Sequence, residues 1–228
     1  VALERALAHA HATAEKSESG FMHHAHVQEA EDFLELVAYE DERQAQPDSV
    51  RIYVVPREVV VEFRLERRRR PFRELLKQEK LKHLVVERTA ALRGSLLAAD
   101  GSGGCRVLAV SYPWQGPGDP DSANDRLDAI AAHLEEHPDI SHVWWDWPCL
   151  PQLERADGEL TSFERMYAQD MRENGVWLIY LCTQVLCVIL PESMSRFWPQ
   201  MELYLATRAV TTSGFVASFG RLSVRAIK

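Results

Sequence analysis

Glu202 sits in the segment SRFWPQMEL (residues 195–203), a setting that few surface carboxylates share. On a helix, Trp198, Met201 and Leu205 lie at spacings of three and four that put them on one face with position 202. A carboxylate on such an apolar stripe is partly desolvated, and desolvation raises its pKa unless a partner compensates. Carboxylates perturbed in this way concentrate at functional sites, where they can stabilise positive charge that develops in a transition state. The plain alternative is a carboxylate at the edge of the stripe, bonded to a backbone amide or to Arg196 or Arg208. Two aromatic segments offer partners for it. SYPWQGPG (residues 111–118) and WWDWPCLPQ (residues 144–152) combine indole rings, Asp146 and prolines, a mixture that suits a rigid pocket for a flat, polar ligand. The competing reading has the tryptophans seal the top of a core.

The elements that would position these residues follow from the apolar pattern. RVLAVS (106–111), ISHVWWDW (140–147) and QVLCVIL (184–190) are short continuous apolar runs, the mark of strands buried on both faces. Between the first two, Leu127, Ile130, Ala131 and Leu134 recur at helical spacing, and Pro138 stops the helix. Thr161-x-x-Glu164 is a capping box that opens a second helix carrying Phe163, Tyr167, Met171 and Leu178, with Gly175 as a kink or an early stop. A third helix is predicted over about residues 195–207. Strand and helix in alternation imply right-handed crossovers and an α/β fold, a parallel sheet flanked by helices. Ligands bind such sheets outside the carboxyl ends of the strands, where both aromatic segments fall.

The first half of the chain is less regular. Residues 1–80 read as a mainly helical N-terminal extension and 81–228 as the α/β domain. Within the extension, residues 50–55 suit a strand, and Pro56 opens a helix through Val59 to Leu65, although Val59-Val60-Val61 also suits a strand. A helix over 71–80 and a strand over 82–87 follow. Residues 100–104 (DGSGG) are a loop without the Lys-Ser/Thr of a phosphate-binding loop.

A formal net charge of −8 argues against nucleic acid as partner, and the short run Arg67 to Arg70 reads as a solvated helix face. Cys105, Cys149, Cys182 and Cys187 form no CxxC pair, which favours free thiols in a reducing, intracellular and cytoplasmic setting, with an upstream organellar targeting segment left open. The apolar stretch 176–190 is interrupted by Thr183 and Gln184 and is too short to span a bilayer. The pairs His9/His11 and His24/His26 are two apart, on different helix faces, so no metal site is expected.

Four ordered segments, LAVSYPW (108–114), VWWDWPCLPQ (143–152), LCTQVLCVILP (181–191) and SRFWPQMEL (195–203), resemble the TIR superfamily. They are most similar to its branch with heterokaryon-incompatibility (HET) domains and related algal and protist proteins, which show a Ser-Tyr-x-Trp first strand and a Trp-x-Asp second strand. The resemblance covers roughly residues 80–210. It implies a TIR/flavodoxin-like fold. In TIR domains that cleave NAD, the catalytic glutamate lies on the third helix, four residues after a tryptophan and before a hydrophobic residue, as Trp198, Glu202 and Leu203 do here. Glu202 is then the expected catalytic residue and Ser111, Tyr112 and Trp114 the nucleotide contacts the resemblance implies, with NAD as substrate and no tightly bound cofactor; Asp146 and Trp198, from the aromatic segments and the helix face, complete the expected ligand set. The family equally implies self-association or a protein partner, so the alternative reading is a non-catalytic interaction module or a structural subunit of a larger complex. Pro199 and Pro113 stand where the family often has a cysteine and a basic residue. The short C-terminal remainder implies that the last strands are absent or come from the N-terminal segment.

Overall fold

Apolar runs become strands close to where the pattern places them. A computed structural model describes residues 20–68, 70–92, 106–114, 121, 123–152, 159–190, 193 and 196–227, with side chains from residue 32 onward. The strands are β1 (Ser49–Pro56), β2 (Lys82–Glu87), β3 (Val107–Ser111), β4 (His142–Trp144), β5 (Gln184–Ile189), β6 (Arg208–Thr211), β7 (Gly214–Ala217) and β8 (Leu222–Ala226). The helices are α1 (Gly20–Ala45), α2 (Arg57–Glu66), α3 (Phe72–Lys77), α4 (Arg88–Ala90), α5 (Asp125–Glu136), α6 (Asp146–Cys149), α7 (Ser162–Asp170), α8 (Val176–Cys182) and α9 (Phe197–Ala206), with a π-helical turn, Met171–Gly175, joining α7 to α8. None of the helices among the described residues is long and apolar enough to cross a membrane. The loop at 100–104, His9, His11 and Cys105 lie outside the described residues.

Six strands form one mixed sheet in the order β2-β1-β4-β3-β5-β8, and β6 pairs with β7 in a separate hairpin. β4, β3, β5 and β8 run parallel, while β1 is antiparallel to both of its neighbours. All five residues of β3 are buried, as a strand covered on both faces requires. The chain moves from β3 outward to β4, then crosses back over β3 to β5 and on to β8. Its direction of travel thus reverses at the β3–β5 pair. The helices divide accordingly: α5 packs with α2, whereas α1 packs with α7 and α8 with α9.

Three expectations need correction. Residues 49–56 are not part of a separate extension, because β1 is an interior strand between β2 and β4 and its residues share one core with the rest. The second parallel strand ends at Trp144, not Trp147, because Asp146 begins the short helix α6, which carries Pro148. The strand missing from the parallel set comes from the chain's own last residues, as β8. At Val59-Val60-Val61 the helix prevails: Val59, Val60 and Phe63 are the buried face of α2, which follows Pro56. Gly175 is the last residue of the π-helical turn, where a Cβ would stand 2.4 Å from the Met171 sulfur.

The capping box forms with both of its bonds, Glu164 N–H to Thr161 Oγ1 at 3.2 Å and Thr161 N–H to Glu164 Oε2 at 3.0 Å. Arg73 on α3 donates to the same buried Glu164, through Nε at 2.8 Å and through Nη2. One carboxylate therefore joins the N-terminal third of the chain to α7. Thr161→Ala should cost about 1 kcal/mol in urea unfolding, the usual loss for a cap. Arg73→Met should cost about 3 kcal/mol, because it strands a buried charge. Equal costs would contradict the pairing described.

Candidate functional site at the strand ends

Ser111 is the last residue of β3, and in register it faces Cys187 of β5, at the reversal point of the sheet. In open α/β sheets the crevice outside the carboxyl ends of strands at such a point is where ligands bind. Helix α9 lies across this end. Its Pro199 falls in the first turn, where the missing N–H disrupts no helical bond. Burial deepens along the helix, from exposed Phe197 and Trp198 to buried Leu205 and Ala206. Glu202 sits midway, and its Oε2 accepts a hydrogen bond from Ser111 Oγ at 2.5 Å.

Burial pushes the Glu202 carboxyl up to about 8; the negative charge of Asp146 adds to the rise, while the hydrogen bond from Ser111 and the nearby Tyr180 phenol oppose it. Asp146, the first residue of α6, is raised to about 7, again mainly by burial, with the Trp114 side chain and the N-terminal backbone amides of α6 opposing. Both residues keep partial solvent exposure although their carboxyl groups are enclosed. Two enclosed carboxyls with raised pKa values close to one another are the kind of pair that concentrates at functional sites. Tyr180 on α8 donates to the Val110 carbonyl at 3.0 Å and stands beside Glu202, and burial drives its phenol well above its ordinary value. The Cys187 thiol, pushed up to about 12 by burial, is not a nucleophile at neutral pH. A small depression with a cavity volume of about 20 Å³ lies beside Ser111, walled by Ser111, Cys187, Ser193, Pro199, Gln200 and Leu203, with Glu202 and Asp146 outside its walls.

The loop after β4 is fixed from within. Gln152 Nε2 donates to the carbonyls of Asp146 at 3.0 Å and Leu150 at 2.9 Å. The Trp114 ring meets Trp147 edge-on at 5.4 Å. Among the described residues the buried Trp114 Nε1 has no partner of regular hydrogen-bond geometry, though it lies close enough to Asp146 to lower that residue's pKa.

Four of the six residues singled out by sequence thus meet around one site: Ser111, Trp114, Asp146 and Glu202. Two do not. Tyr112 is buried, with the Arg126 guanidinium 5.7 Å over its ring, and Arg126 Nε also donates to the Pro113 carbonyl at 3.2 Å; Tyr112 therefore supports the β3 loop from behind. Trp198 is 60 % exposed and packs edge-on against Phe197, because the first turn of α9 does not reach the core. Tyr180 and Cys187 were not singled out. Both lie inside apolar runs whose pattern says only that they are buried.

Comparison with protein-family models, with curated proteins and with solved structures yields no match to this chain.

Both raised carboxyls make the fold pH-sensitive. Below about pH 4.5, Glu202 is protonated in folded and unfolded chains alike. As pH rises, the unfolded chain ionises first, so stability should fall progressively up to about pH 8. Glu202→Gln keeps an acceptor for Ser111 and removes this penalty. It should be as stable as wild type near pH 4.5 and more stable at pH 8.5, measured by thermal unfolding. An identical pH dependence in both proteins would refute the desolvated carboxyl.

Proposed function

We propose that this chain is a TIR-like nucleotide-binding domain that hydrolyses the N-glycosidic bond of NAD or a related nucleotide, with Glu202 as the catalytic carboxylate. The observation that carries this reading is the Ser111–Glu202 hydrogen bond at the reversal point of the sheet, with Asp146 near enough to raise Glu202. The parallel order β4-β3-β5-β8 is consistent with the flavodoxin-like arrangement that the resemblance implies.

The chemistry suits the site. The carbon–nitrogen bond breaks with its electron pair leaving on nicotinamide, a neutral pyridine that needs no general acid. Positive charge then builds on the ribosyl carbon, and an ionised Glu202 beside it stabilises that charge in a medium that water screens poorly. Water supplies the new oxygen bond, and its proton passes to solvent or to a carboxylate. Trp114, packed edge-on against Trp147 beside Asp146, is the indole nearest the carboxyls for stacking on a flat ring. The ionised form of Glu202 is the reactive one, so kcat/KM should rise with pH and level off above about 8.

A second reading, a non-catalytic interaction module or a structural subunit, draws support from exposed aromatic side chains. Phe197, Trp198, Phe215 and Phe219 are each more than half exposed, along α9 and the segment that follows it. Phe197 and Trp198 touch edge-on at 5.3 Å, and an exposed aromatic pair can serve as a protein contact.

Nicotinamide release from NAD, followed beside Glu202→Ala and Asp146→Asn, separates the two. The enzymatic reading expects release by wild type, a loss of 100-fold or more (order of magnitude, ~3 kcal/mol) in Glu202→Ala, and a smaller change in Asp146→Asn. No release by wild type, including under conditions that promote self-association, would leave the interaction module as the better account.

A further inference from the structure

Away from the strand ends, the last turn of α5 and the residue that caps it gather three side chains able to ligate a cation, His133, Glu136 and His137. The segment reads HLEEH, with two histidines four apart and therefore on one helix face. One ligand atom from each of the three lies within 4.8 Å of the others. The imidazole centroids are 4.3 Å apart, with the rings tilted by 38°.

The turn is fixed before any ion arrives. His133 is buried at the base of the cluster. The His137 N–H bonds to the carbonyls of His133 at 3.1 Å and Leu134 at 3.3 Å, and its own carbonyl accepts from Arg57 Nη1 at 2.9 Å. Arg225 on β8 donates through Nη2 to Glu136 Oε2. An outer donor of that kind orients a ligating carboxylate, and the second oxygen, Oε1, stays available. Two imidazoles with one carboxylate suit borderline divalent ions and not Mg²⁺ or Ca²⁺, which take oxygen ligands.

We propose that His133, Glu136 and His137 form a solvent-open site for a divalent transition ion of the Zn²⁺ class. Water completes the coordination, since Glu136 is exposed and His137 half-buried. Through Glu136 and Arg225, the bound ion ties the C-terminal end of α5 to β8.

The test is Zn²⁺ titration by calorimetry, with the visible spectrum of the Co²⁺ form and thermal unfolding in parallel. It uses the full chain, the variants His137→Gln and Glu136→Gln, and a chain whose His9, His11, His23, His24 and His26 are all glutamine. Apo variants with wild-type unfolding temperatures establish that the fold is intact. The expected result is one ion per wild-type chain with a tetrahedral-type Co²⁺ spectrum. Affinity should fall by tenfold or more (order of magnitude) in His137→Gln and Glu136→Gln, and survive in the five-histidine variant. Zn²⁺ should raise the unfolding temperature of wild type and not that of His137→Gln. Unchanged affinity in His137→Gln, loss of binding in the five-histidine variant, or no binding by wild type at micromolar Zn²⁺ would each overturn the site.

Discussion

Ser111 Oγ donates to Glu202 Oε2 at 2.5 Å, and the bond spans 91 residues of sequence to tie the end of β3 to the middle of α9. Both groups are placed by burial. β3 is covered on both faces, so Ser111 is held at the last rung of the sheet. The later turns of α9 bury Leu205 and Ala206, which draws Glu202 toward the strand ends. The carboxyl is thereby taken out of water with no cationic partner among the described residues, and its raised pKa follows from that placement. A carboxylate kept in so unfavourable a position costs stability, which is the usual signature of a site shaped by function.

The remaining architecture serves this placement. The reversal of chain direction at the β3–β5 pair opens the crevice, and β4 delivers Asp146 to its other side through α6. Gln152 braces that loop from within, while Arg126 supports the β3 loop through Tyr112 and the Pro113 carbonyl. Residues 49–87 close the sheet on the β4 side with two antiparallel strands and anchor α7 through Arg73. No strand of the parallel set is then left to end at the site without a covered neighbour on that side.

Sequence pattern located the parallel core well because its strands are continuous apolar runs and its helices keep strict spacing. QVLCVIL became β5, and the Thr161 capping box formed with both bonds. It failed where pairing depends on distant residues. Nothing local to residues 49–56 tells an interior strand from a flanking one, and β8 has no apolar run of its own. The site was half legible: Glu202 and Asp146 stand out as acids among aromatics, and Ser111 as a polar strand end. Trp198 misled, since helical spacing gives a shared face but not how far the core extends along it. Tyr180 is invisible among apolar neighbours. His133 and His137 show the helical spacing of four in the sequence, but the partner that orients Glu136 between them, Arg225, is 89 residues away.

The central claim is that Glu202 is a desolvated carboxyl beside Ser111 and Asp146. Isotope-edited infrared titration measures it directly, with ¹³C-glutamate label and Glu202→Gln as the difference reference. The account predicts one glutamate carboxyl that ionises near 8 and is missing from the variant. A Glu202 signal that ionises near the ordinary value of 4.5 would contradict it.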